Sequence, residues 1–112
     1  MFAEAIRHVV AELQGADVHA AADVKNLHRV GVWVTPSTLA WDRLDETTRT
    51  VTLDLNLIGP PTDALDALDA LDRLAATVRT VTGVHDFDAV TYPLSGRTLP
   101  GYRAQMTVEV TP

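Results

Sequence analysis

Residues 50–57 read Thr-Val-Thr-Leu-Asp-Leu-Asn-Leu (TVTLDLNL), so that Val51, Leu53, Leu55 and Leu57 alternate with Thr50, Thr52, Asp54 and Asn56. Side chains point to opposite faces at successive positions of a strand, and this segment therefore predicts a strand with one apolar and one polar face. A strand buried on one side only favours antiparallel pairing over a place in a sheet covered on both sides.

Working outward, Gly59-Pro60-Pro61 ends that strand and launches a helix that Thr62 or Asp63 can cap. Its body, DALDALDALDRLAATVRTV (63–81), carries a triplet repeat. Three does not match 3.6 residues per turn, so the leucines drift by about 60° per triplet. Leu65, Leu68, Leu71 and Leu74 then sweep about half the circumference, and the helix is expected to touch two surfaces, its own sheet and a neighbour. Gly83 is the expected stop.

Upstream, Arg29 to Thr35 predicts a strand ended by Pro36, and Thr38 to Leu44 a second one. That second strand forms a hairpin with Val51–Leu57 across a turn at Asp45–Thr48. The chain opens on an amphipathic helix, with Phe2, Ile6, Val9, Val10 and Leu13 on one side and Gly15 as its stop. Ala16 to His28 reads as a loop. Downstream, Asp86 to Tyr92 and Tyr102 to Val110 predict two strands separated by a loop over residues 93–101. The sum is a single α+β domain over residues 1–112: a mixed, mostly antiparallel four- to five-stranded sheet with two helices packed on one face.

Composition narrows the function. Nine basic against fifteen acidic residues give a net charge of −6, which does not supply the basic stripe that a DNA-wrapping protein needs. An acidic surface suits a protein past which nucleic acid must move without sticking. Eight of the nine basic residues are arginines and Lys25 is the only lysine, a coding bias of GC-rich genomes. The absence of cysteine excludes disulfides and thiolate metal sites. Glu4, Arg7 and His8 interrupt any secretory apolar run, so an aqueous, cytosol-like setting without a membrane is expected.

The residues that carry chemistry are sparse. His8, His19, His28 and His85 share no metal-ligand spacing. His85-Asp86-Phe87-Asp88 is the one histidine–carboxylate cluster, and a polar strand entrance explains it better than a cation site. Ser37 and Ser95, the only serines, sit in no nucleophile elbow. Asp63, Asp66, Asp69 and Asp72 spread over several faces of their helix. Trp33 and Trp41 occupy strand positions where packing is the default explanation. No catalytic residue, cofactor site or metal site is expected. What remains is a recognition surface on the polar faces of two strands, Thr50/Thr52/Asp54/Asn56 and Arg103/Gln105/Thr107/Glu109.

Four segments carry a family resemblance: GVWVTP (Gly31–Pro36), VTLDLNLIGPP (Val51–Pro61), DALDALDRLAATV (Asp66–Val78) and YPLSGRTLPGYRAQMTVEV (Tyr92–Val110). Together, in order, length and texture, they resemble the tail terminator proteins of long-tailed, siphovirus-like bacteriophages. The resemblance implies a structural virion protein, assembled in the host cytoplasm, of which six copies form a ring. Such a ring caps the tail tube, stops polymerisation of the major tail tube protein and offers the neck surface that joins the head through a connector or stopper protein, with DNA passing as cargo. The family has no motif that fixes functional residues. Candidate interface residues come instead from expected exposure: Arg97, Arg103, Gln105, Asp66, Arg73 and Lys25. Three other readings stay open. They are another neck component such as a stopper, a small ligand-binding regulatory domain, and an enzyme whose His85–Asp88 segment meets Asp42 or Asp45.

Overall fold

A computed structural model of the chain describes residues 2–23, 30–41, 49–94 and 96–110, with the backbone alone at 41 and 110. Two helices and five strands follow in the order α1 (Phe2–Gly15), β1 (Ala20–Ala21), β2 (Gly31–Trp41), β3 (Arg49–Ile58), α2 (Ala64–Thr82), β4 (Asp88–Leu94) and β5 (Arg97–Val110). The strands make one sheet in the order β1-β2-β3-β5-β4. Every neighbouring pair is antiparallel except β1 with β2. This is the α+β architecture expected from the sequence.

β3 is the centre of the molecule, as its alternation requires. Val51, Leu53, Leu55 and Leu57 are fully buried. Val34 and Val32 lie beside Leu55 and Leu57 on β2, and Ala104 and Tyr102 lie beside them on β5. Both helices lay their apolar stripes on this face, α1 through Ala5, Ile6, Val9 and Leu13, and α2 through Ala67, Leu71 and Val78. The opposite face of the sheet carries Thr52, Asp54 and Asn56 of β3 with Arg103, Gln105 and Thr107 of β5.

The α2 leucines show what a three-residue period does to a 3.6-residue helix. Leu65 is 74% exposed and Leu68 39%, whereas Leu71 is fully buried and Leu74 packs against the core. The series rotates from solvent into the sheet within three turns. Asp63 caps the helix, its Oδ1 accepting from the N–H groups of Leu65 at 3.0 Å and Asp66 at 3.2 Å. Those bonds, the backbone donor of Asp66 first, hold the Asp63 carboxyl below its ordinary pKa. Gly83 closes the other end in the left-handed region at φ 78°, its N–H donating to the Arg79 carbonyl.

Three expectations need correction. Pro36 does not end a strand; β2 runs through it to Trp41, with a shift of register between Pro36 and Thr38. The N–H of Val32 donates to the His19 carbonyl on the β1 side, so position 36, of the same parity, points its nitrogen outward, where a proline costs no ladder bond. The expected loop over residues 93–101 is instead a tight hairpin, since β4 continues to Leu94 and β5 begins at Arg97, with Gly96 at φ 74°. Ala20–Ala21, inside the expected Ala16–His28 loop, pairs in parallel with Val32–Trp33 and is anchored by the Gln14 side-chain amide on the Ala20 carbonyl. α1 ends at Gly15 as expected, and the left-handed conformation after it falls on Asp17, at φ 61°. Lys25, Asp42, Ser95 and the expected turn at 45–48 lie outside the described residues.

Candidate functional site

The described residues that could meet a partner fall in three places. The first is an open groove of about 760 Å³ along β5, where that strand outruns β4. β4 begins at Asp88, opposite Arg103, so β5 beyond Arg103 has a neighbour on the β3 side alone among the described residues. Asp54, His85, Asp86, Asp88, Arg103 and Gln105 line the groove. Three carboxylates against one guanidinium make it acidic. The Asp54 Oδ1 is buried there without a hydrogen-bond partner among the described residues. Arg103 and Gln105, both candidates from the sequence, thus share one surface.

The other candidates do not join them. Arg97 stands exposed at the hairpin end of β5, six residues from Arg103, or about 20 Å along the strand. Asp66 and Arg73 lie on the outer side of α2, where with Asp69 and Asp72 they edge a shallow depression of about 500 Å³. Leu65 and Leu68 are the exposed large apolar residues of this same helix. The outer side of α2 is therefore an acidic helix surface with an apolar patch at its N-terminal half.

His85 and Asp86 are in contact, Nδ1 to Oδ1 at 3.4 Å, but both are exposed, and Asp86 precedes β4 instead of sharing a strand face with Asp88. Among the described residues, no three or more histidine, aspartate or glutamate side chains are placed to hold a metal ion. Among the described residues, no helix is both long and apolar enough to cross a membrane.

A polar latch crosses the outer face of the sheet, and sequence reasoning missed it. Asn56 is the buried polar residue among those described. Its Nδ2 donates to the Trp33 carbonyl at 2.9 Å and to Thr35 Oγ1 at 3.1 Å, while its Oδ1 accepts from the Tyr92 hydroxyl at 2.8 Å. The Tyr92 ring reaches Asn56 across Gly101, at which a Cβ would stand against the ring and 2.5 Å from the Leu57 carbonyl oxygen. Burial, opposed by Arg103 and aided by Asp54, raises the Tyr92 phenol to about 12. Trp33 lies on this outer face, half-buried, and not with Val32 and Val34 in the core. On the helix side, the Tyr102 hydroxyl donates to Asp72 at 2.7 Å, tying α2 to β5 and raising the Tyr102 pKa. Two sequence signals pointed to the latch: an asparagine and a glycine inside strands each mark a special contact.

No protein-family model matches the chain, and no curated protein matches it either.

Proposed function

We propose that the chain is a tail terminator of a long-tailed bacteriophage, a structural virion protein whose copies ring the tip of the tail tube and end its growth. The observation that carries this reading is the Leu65–Leu68 patch on α2, 74% and 39% exposed on a helix whose other side is packed into the core. A ring is closed by two different patches meeting head to tail. The leucine patch is the apolar half of such a contact, and the polar outer face of the sheet lies on the other side of the subunit. The texture of the four sequence segments described above is the second support. The net charge of −6 suits a collar through which DNA slides as cargo.

On this reading the partners are other copies of the chain, the major tail tube protein, and the connector or stopper protein of the head. The site of action is the neck of the virion, after assembly in the host cytoplasm. Leu65→Asp combined with Leu68→Asp tests the contact. Both positions face solvent, so the variant is expected to keep the circular dichroism of the parent while losing rings in electron micrographs. Rings formed equally well by the variant would remove this patch from the interface. Arg97→Glu and Arg103→Glu probe two separate places and are best made singly.

A further inference from the structure

On its β4 side the sheet has two stretches of open edge among the described residues: the outer side of β4, where Pro93 turns its nitrogen outward, and β5 beyond Arg103. Pro100 accepts from the Gly59 N–H, so even-numbered β5 residues turn their backbone groups toward β3 and odd-numbered ones turn them away. Up to Arg103 the odd positions are taken by β4. Beyond it, the N–H and C=O groups of Gln105, Thr107 and Glu109 meet no strand among the described residues. This stretch holds no proline, glycine, lysine or bulge, the usual means of blunting an edge. The opposite side of the sheet is treated differently: β2 carries the outward nitrogen of Pro36 and a register shift beside it, and β1 is only two residues long. These edges are blunted, as β4 is by Pro93, so continuation of the sheet from copy to copy is least obstructed where the β5 edge meets itself.

We propose that residues 104–110 of β5 pair with the same residues of a second copy, antiparallel about a twofold axis at Thr107. The register fits the chemistry on both faces. Thr107 meets its own copy, Gln105 meets Glu109, and Met106 meets Val108, so apolar side chains continue the helix face and polar ones the outer face. No like charges stand opposite each other, and Arg103 lies on the diagonal next to the partner's Glu109. The parity places Thr107 at a hydrogen-bonded pair, which gives the edge three reciprocal pairs through positions 105, 107 and 109. The groove of about 760 Å³ beside this edge is the space that the incoming strand enters. Twofold pairing closes on itself, so it holds free chains as discrete dimers and hides an edge that would otherwise template aggregation.

Sedimentation equilibrium of the purified chain is expected to show a monomer–dimer equilibrium. Thr107→Pro, whose missing N–H faces outward, and Thr107→Lys, which sets two ammonium groups face to face, are both expected to weaken dimerisation at least tenfold with unchanged circular dichroism. The cysteine-free chain allows a direct register test. Thr107→Cys places two thiols on Cα atoms about 5.5 Å apart, within disulfide range, and is expected to crosslink on mild oxidation much faster than Thr38→Cys on β2. A chain monomeric at high micromolar concentration, or equal crosslinking of the two cysteine variants, overturns the pairing. Rings of wild-type chains whose Thr107→Cys variant does not crosslink overturn it too, and leave the terminator reading standing. A crosslinking dimer that has no effect on tube growth supports the pairing and counts against the terminator.

Discussion

At the scale of single residues, the outer face of the sheet rests on three that act together. Asn56 satisfies Trp33, Thr35 and Tyr92 at once, so Asn56→Ala leaves the half-buried Tyr92 hydroxyl with only the Tyr102 carbonyl, at 3.5 Å, to accept from it. A loss of about 1–3 kcal/mol in urea unfolding is expected. Tyr92→Phe strands the Asn56 Oδ1 and is expected to cost about the same. Gly101→Ala drives a methyl group into the Tyr92 ring and the Leu57 carbonyl, and a loss near the top of the ~1–3 kcal/mol range for overpacking is expected. Tyr92 also sets an alkaline limit. Its folded pKa of about 12 lies above the ordinary 10, so its contribution is complete below pH 10 and is lost as pH rises through 12. Absorbance titration of the phenols should show Tyr92 ionising last or together with unfolding, and Tyr92→Phe should abolish that late step. Asp63 acts with the opposite sign: its lowered pKa makes the α2 cap complete above the ordinary carboxylate range and weaker as pH falls through the folded value.

At the scale of elements, α2 separates packing from contact. Leu71→Ala empties a fully buried position and is expected to cost about 2–5 kcal/mol, whereas Leu65→Ala, at a solvent-facing position, should change stability by less than about 0.5 kcal/mol. Thermal or urea unfolding of the two variants checks this contrast. The same helix shows what is legible in a sequence. Its caps at Asp63 and Gly83, its drift and the apolar face of β3 are local patterns, and they read directly. Pro36 and the hairpin at Gly96 did not, because whether a proline breaks a strand depends on which way its nitrogen faces across the sheet. β1 is two alanines held by the edge of β2 and by Gln14, and no local propensity marks it. Of the candidate site, Arg103 and Gln105 were legible as polar-face residues of one strand. The groove they share with Asp54 was not, because it exists only where β5 outruns β4, a matter of pairing register. The Asn56 latch joins β2, β3 and β4, and such long-range hydrogen bonds leave no periodicity to read.

At the scale of the whole molecule, the chain is an elongated body of 50 × 28 × 23 Å with three unlike surfaces. These are the leucine-bearing acidic side of α2, the polar outer face of the sheet, and the open β5 edge. On the terminator reading a ring would use the first two, since head-to-tail closure needs patches that differ. The third is the surface proposed above to pair like with like in the free chain. The central claim is that copies of this chain stop the growth of a tail tube, and the direct measurement is tube length. Tube protein polymerised with and without the purified chain would be imaged by electron microscopy, and both lengths and tips scored. The terminator reading expects shorter tubes whose growth halts once one tip carries a ring, with Leu65→Asp/Leu68→Asp chains leaving growth unchecked. Tubes of undiminished length with bare tips at saturating wild-type chain would contradict it.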